Sequence, residues 1–252
     1  MLNLIDIHSH LNFPEFEPDR ESLIEQMKKG GIGTIGVGTD YQTSSEVVAL
    51  ASEHDNLWAT IGMHPHDVQS EFNEAQFKEL AKNKKVVAIG ECGLDYFRLT
   101  DGSVKKDQKK LFEAQIKLAL DLDLPLMLHI RDSYSDVLDI LGSFPTVRAH
   151  AHFFAGDFNI ARKFFDRGST ISFTGVITFT HDYDEVVLSS PLEMIMAETD
   201  APYVTPSPYR GKRNQPSYVN EVVKRIAEIK GEEVEVIRQA LVNNAYRVFN
   251  LS

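Results

Sequence analysis

The sequence predicts a single-domain α/β protein spanning residues 1–252: eight parallel strands closed into a (β/α)8 TIM barrel, followed by an extra C-terminal helix. Three observations carry this expectation. Short apolar runs alternate with longer segments of helical periodicity, the rhythm of parallel strands joined by helices. The alternation repeats eight times in 252 residues, the usual size of such a barrel. The composition, 42% hydrophobic, shows no break, linker or low-complexity segment that would divide the chain. An open doubly wound sheet is the competing architecture, and this many evenly spaced units fit it less well.

The elements follow in order. The first strand is 4–8 (LIDIH) and its helix 19–29. Strand 32–38 (IGTIGVG) precedes helix 42–54, and strand 57–62 (LWATIG) precedes helix 74–82. Strand 86–90 (VVAIG) leads to the long helix 104–122, and 125–130 (PLMLHI) leads to 133–141. Strand 147–152 (VRAHAH) is paired with helix 157–167, and 169–173 (STISF) with 181–189. The eighth strand, 193–197 (EMIMA), is followed by helices 215–230 and 232–249.

Charge and cysteine content limit what the chain can do. A formal net charge of −11 argues against a broadly basic nucleic-acid surface. A nucleic-acid substrate stays open if metal ions and a local basic loop supply the positive field. One cysteine, Cys92, excludes an internal disulfide and fits a reducing cytoplasm. It has no neighbouring base to activate it and is expected to be a small buried residue. No apolar run approaches the roughly 20 residues that span a bilayer, Met1 leads straight into the first strand, and neither a signal peptide nor a membrane partner is expected. No heptad or apolar stripe calls for an obligate protein partner.

The polar residues make the barrel reading chemical, because barrel chemistry gathers where strands end and βα loops begin. In the first strand Ile5 and Ile7 are assigned to one face and Asp6, His8 and His10 to the other by the period of two. His64 and His66 follow strand 3 in GMHPH, and Glu91 follows strand 4 in IGECGLDY. His129 ends strand 5, His152 ends strand 6, and Asp200 follows strand 8 in MAETDAP. His54 and His181 are placed in helices. One H-x-H pair or one strand-end histidine is weak evidence, and Asp200 alone could cap a turn before Pro202; the conjunction at six strand ends points to a metal centre. Four histidines and two carboxylates exceed the needs of one tetrahedral ion and suggest two ions bridged by a shared carboxylate. Glu91 is the natural bridge, since its strand lies between the His8/His10 and His129/His152 ends of the rim. Asp200, on the strand that closes against the first, can bind one ion and accept a proton from water.

The motifs DIHSHLN, GMHPH, AIGECGLDY, LHIRD, HFFAG, ETDAPY, RGKRNQPSYV and NNAYRVFNL fall in an order and spacing that resembles the TatD family of metal-dependent deoxyribonucleases, within the amidohydrolase superfamily, over essentially the whole chain. The resemblance implies a TIM barrel with two divalent ions, whether Mg, Mn or Zn: His8, His10 and Asp200 on the first, His129 and His152 on the second, Glu91 bridging both. It further implies a hydrolase that cleaves DNA phosphodiester bonds, often from the 3′ end, with single-stranded DNA as the expected partner. Some relatives deacylate mischarged tRNA, so an ester or carbon–nitrogen hydrolase, such as a D-aminoacyl-tRNA deacylase, is the alternative. A lysine ending strand 4 would have favoured that class, and this chain has Glu91. A non-catalytic metal-binding scaffold would not need Asp200 beside the ligands. Two departures stand out: the usual His-Cys-Phe is His152-Phe153-Phe154, and the usual Asn-Glu-Pro is Asn214-Gln215-Pro216. His150 has no role in the family pattern. Arg210, Lys212 and Arg213 in YRGKRN are expected to draw phosphates toward the metals, with Arg131, His64 and His66 as further substrate contacts.

Overall fold

The computed structural model describes residues 2–251. Strands β1 (Leu4–Ser9), β2 (Ile32–Val37), β3 (Leu57–Ile61), β4 (Val86–Asp95), β5 (Leu126–Arg131), β6 (Ala149–Ala151), β7 (Thr170–Phe173) and β8 (Ile195–Ala197) lie side by side in chain order, each parallel to the next. Consecutive order rules out the doubly wound alternative, whose strand order reverses at a switch point. Just past the strand ends the sheet closes on itself. Ser9 bridges to Ala201, the His10 amide donates to the Ala201 carbonyl at 2.8 Å, and the Asp200 amide donates to the His8 carbonyl at 3.0 Å. The architecture is a TIM barrel.

The helices α1 (Arg20–Lys29), α2 (Tyr41–Glu53), α3 (Glu74–Leu80), α4 (Gly102–Leu122), α5 (Tyr134–Gly142), α6 (Phe158–Phe165), α7 (Asp184–Ser189) and α8 (Val219–Lys230) form the outer ring. Asp40, Asp101 and Asp157 start α2, α4 and α6 by accepting backbone amides of the first turn, which fixes where these βα loops end. Phe16, Ile24, Phe77, Phe112 and Phe164 are buried in the apolar layer outside the strands, where Cys92 also lies. A second apolar cluster fills the barrel interior with Ile5, Ile7, Ile35, Trp58, Met127 and Met196. The last helix, α9 (Val234–Phe249), adds Val242, Ala245 and Phe249 to that inner cluster beside the N-terminal ends of the strands. The opposite end is left for the polar residues. Among the described residues, no helix is long and apolar enough to cross a membrane.

Several boundaries differ from the expected ones for local physical reasons. Pairing of β1 with β2 slips by one residue between Asp6 and Ser9, a bulge that breaks the strict alternation. Ile5 and Ile7 therefore join the interior cluster, while His8 and His10 also serve the barrel mouth. Asp6 is drawn to the seam, accepting the Thr199 amide at 2.8 Å and its hydroxyl at 2.6 Å. Strand β4 does not stop at residue 90: it pairs with β5 as far as Asp95 opposite Arg131, so Glu91 lies within the strand. Close approach of β4 to β5 depends on Gly93, where a Cβ would run into the His129 carbonyl. Strand β6 ends before His152, since Phe153 adopts a left-handed backbone (φ 44°) that takes its amide out of the ladder. His181 lies outside α7: the Thr180 hydroxyl accepts the Asp182 amide and holds a turn ahead of the helix. His54 caps α2 at its C-terminus instead of lying inside it.

Candidate metal centre

At the C-terminal mouth of the barrel, a cavity of about 650 Å³ is lined by His10, His64, His66, Glu91, Asp95, His129, Arg131, His152 and Asp200, with Phe13, Phe153 and Tyr203 as aromatic walls. His8 lies fully buried beneath it, its ring stacked on that of His152 at 3.9 Å. The six residues singled out as ligands from the sequence thus converge, although they come from β1, β4, β5 and the ends of β6 and β8.

Glu91 is the hub. Its Oε2 lies 3.5 Å from His8 Nε2 and 3.7 Å from His10 Nε2, while its Oε1 lies 2.8 Å from His129 Nδ1, 3.0 Å from His152 Nε2 and 3.8 Å from His64 Nε2. Asp200 Oδ1 faces the same pair on the first side, at 3.5 Å from His10 Nε2 and 3.7 Å from His8 Nε2. Asp200 has φ 54°, a left-handed conformation that aspartate tolerates. The turn that follows it is pinned by buried Asn214, whose amide donates to the Thr199 and Tyr203 carbonyls.

Hydrogen bonds select which ring nitrogen is free. His10 donates Nδ1–H to the Val37 carbonyl at 3.2 Å, so Nε2 is the nitrogen that faces Glu91 and Asp200 and would serve a cation there. His129 meets Asp95 through Nε2 at 3.0 Å and Glu91 through Nδ1. His64 accepts the His66 amide on Nδ1 at 3.2 Å, so in its neutral form the proton sits on Nε2. Burial pushes His64 down to about 3, which keeps it neutral. His8 is the exception: both its ring nitrogens are buried without a hydrogen bond. A buried imidazole left in that state is costly, and a cation between His8, His10, Glu91 and Asp200 would satisfy its Nε2. Three groupings have ligand atoms close enough for one ion: His8–His10–Glu91, His64–Glu91–His129 and His8–His152–Glu198. The residues present therefore fit a metal.

The electrostatics agree. Burial alone would raise Glu91, but the imidazoles of His152, His129 and His8 outweigh it and hold the carboxyl well below its usual range. Burial likewise opposes the shift at Asp200, which His10 and His8 hold low. In return His10, His129 and His152 are raised despite their burial, because Asp200, Glu91, Asp95 and Glu198 favour their charged forms. Without metal, protons on these histidines balance the carboxylates. A raised histidine stabilises the fold at pH below 6.5 and loses that contribution as pH climbs through its folded value. Metal-free protein is therefore expected to melt at falling temperatures as pH rises above 6.5, and Mn²⁺ should reverse the fall by replacing the protons; differential scanning calorimetry with and without the ion checks this.

Asp95 and Glu198 were not singled out in the sequence. Asp95, buried, lies 3.0 Å from His129 Nε2 and 3.2 Å from His66 Nε2. Glu198, fully buried, accepts the Phe153 amide at 2.6 Å and lies 3.5 Å from His152 Nδ1. The period of two that paired His8 with His10 would have found both, since they stand four residues after Glu91 and two before Asp200. The cations divide. Arg131 lines the cavity, exposed, with its guanidinium 3.6 Å from the Phe97 ring centroid. Arg210, Lys212 and Arg213 are not among the lining residues: Arg213 forms a bidentate pair with Asp19 at 2.7 and 2.9 Å, Arg210 donates to the Thr205 carbonyl and covers the Phe179 ring, and Lys212 is exposed.

Comparison with known proteins identifies the family. Residues 5–250 match the family described as TatD related DNase. The chain is 40% identical, over 99% of its length and all of the relative's, to an uncharacterized metal-dependent hydrolase, YabD, of Bacillus subtilis. It is 33% identical, over 99% of its length and all of the relative's, to the 3′-5′ ssDNA/RNA exonuclease TatD of Pectobacterium carotovorum. The crystal structure of YjjV, a TatD homolog from Escherichia coli, superposes with a TM-score of 0.91 at 30% identity, covering 99% of both chains. With its barrel, its imidazole–carboxylate mouth and a family match over nearly its whole length, the chain belongs to the TatD family of metal-dependent hydrolases.

Proposed function

We propose that this protein is a cytoplasmic nuclease that hydrolyses phosphodiester bonds of single-stranded DNA from the 3′ end, using two divalent ions, Mg, Mn or Zn, held at the barrel mouth. His8, His10 and Asp200 would hold one ion, His129 and His152 the other, and Glu91 would serve both. The observation that carries the reading is the buried Glu91 carboxylate, which faces His8 and His10 with one oxygen and His129 and His152 with the other. The substrate class is supported by the Pectobacterium relative's name and by a cavity that combines aromatic walls with one accessible guanidinium.

When bound, the ions supply Lewis acidity toward the phosphoryl oxygens and lower the pKa of the attacking water. The chain does the rest. Asp200, held ionised and 13% exposed in its side chain, accepts the proton of the attacking water. His64, neutral with its proton on Nε2, is a hydrogen-bond donor to a phosphoryl oxygen instead of a ligand, and His66 extends that contact from the rim. Arg131 neutralises the phosphate entering the cavity, while Arg210, Lys212 and Arg213 form a contact for a longer strand beyond it. The negative surface elsewhere confines productive binding to this mouth.

Two outcomes test the cations. Arg131→Ala should raise KM about tenfold or more for dinucleotides and long oligonucleotides alike, the loss of one charge-assisted contact. Lys212→Ala should raise it only for the long substrates; steady-state kinetics on both lengths checks this. The activity itself is tested with a 5′-labelled single-stranded oligonucleotide and Mg²⁺ or Mn²⁺. A ladder shortening from the 3′ end is expected. Intact oligonucleotide after incubation with metal-loaded protein would reject the nuclease reading and direct the search to ester substrates, aminoacyl-tRNA first.

A further inference from the structure

Below the cavity lies a chain of polar groups that the mechanism leaves unused. His150, Thr170 and Ser172 are buried inside the barrel, where the His150 ring packs against Phe249 of α9. His150 Nδ1 lies 2.8 Å from the Thr170 hydroxyl and Nε2 lies 2.8 Å from that of Ser172. The Ser172 hydroxyl donates its only proton to Glu198 Oε2 at 3.1 Å. It must therefore accept at its other contact, which puts the His150 proton on Nε2 and leaves Nδ1 to accept from Thr170. Every bond in the series has one permitted direction, running from Thr170 through His150 and Ser172 to Glu198. The far oxygen of Glu198 accepts the Phe153 amide and faces His152 Nδ1 at 3.5 Å. That Nδ1 is buried and has no hydrogen bond.

The geometry points to a positioning relay in which His150, Ser172 and Glu198 fix the tautomer of His152: Glu198, its carboxylate held in place by Ser172 and the Phe153 amide, takes the proton of His152 Nδ1 as a hydrogen bond and leaves the Nε2 lone pair for the metal. Carboxylates behind ligating histidines act this way, setting ring orientation and ligand basicity. The relay gives His150 a role and explains why Phe153 adopts a left-handed backbone, since that turn delivers its amide to Glu198. It rests on the reading of His152 as a ligand and does not need the nuclease activity.

The test uses full-length protein labelled with ¹⁵N-histidine, as wild type, Ser172→Ala and the isosteric Glu198→Gln. Histidine ring ¹⁵N shifts report the tautomer of His152, and isothermal titration with Zn²⁺ reports affinity. In zinc-loaded wild type, His152 is expected as the Nδ1–H tautomer. Both variants should weaken Zn²⁺ binding, by about tenfold for Ser172→Ala and about 10–100-fold for Glu198→Gln, with displaced His152 ring ¹⁵N shifts in the zinc-loaded state. Unchanged ring shifts and wild-type affinity in Glu198→Gln would overturn the relay. So would an affinity loss that merely tracks the melting temperature while the His152 shifts stay fixed, because core packing alone would do that. Failure of the nuclease assay leaves these readouts in force, as none of them uses substrate.

Discussion

Glu91→Gln is expected to lower turnover of a single-stranded oligonucleotide by about 10³-fold or more and to strip bound metal in the same step, as read by kcat and by elemental analysis of dialysed protein. Glutamine keeps the shape but removes the negative charge and turns one oxygen into an NH2 donor. Glu91 reaches His8 and His10 through one oxygen and His129 and His152 through the other, so a single substitution disturbs both halves of the cluster. The same change should leave metal-free protein folded, because the surrounding histidines can give up their protons once the carboxylate is gone. Turnover within tenfold of wild type, with metal retained, would remove Glu91 from the centre of the account.

Asp200→Asn should separate chemistry from metal binding. His8, His10 and Glu91 remain to hold an ion, so metal content and KM should change little. The loss falls on kcat, by about 10²–10⁴-fold, the usual contribution of a positioned general base. Its pH dependence is diagnostic. Asp200 is held below the usual carboxylate range by His10 and His8 against the opposing effect of burial, so the wild-type kcat should fall only at acidic pH, as this carboxylate protonates. In the asparagine variant that acidic limb should be gone. A variant that keeps wild-type kcat, or keeps the same acidic limb at reduced kcat, would assign the proton to another group.

The barrel was legible because it is written in a pattern repeated eight times, and any one unit could be misjudged without changing the count. Convergence of His8, His10, Glu91, His129, His152 and Asp200 was legible for a related reason: barrel closure brings all strand ends to one rim, so knowing that each lies near a strand end is enough. Features set by contacts between distant segments were not legible. The β1 bulge, which lets Ile7 and His8 both serve the interior, depends on how β1 meets β2 and β8. Arg213 stood out as one cation of a basic loop, yet Asp19, 194 residues away, takes both of its terminal guanidinium nitrogens. His150 was hidden differently. It lies within a strand reading as apolar core, and the inward face of β7, with Thr170 and Ser172, supplies its hydrogen-bond partners.

The most direct test of the central claim, that this imidazole–carboxylate cluster is a two-ion hydrolytic centre, is anomalous diffraction from crystals equilibrated with Mn²⁺. Two peaks are expected, one among His8, His10, Glu91 and Asp200 and the other among Glu91, His129 and His152, with Glu91 between them. Ordered side chains at full occupancy with no anomalous peak among them, under Mn²⁺ concentrations that support turnover, would contradict it.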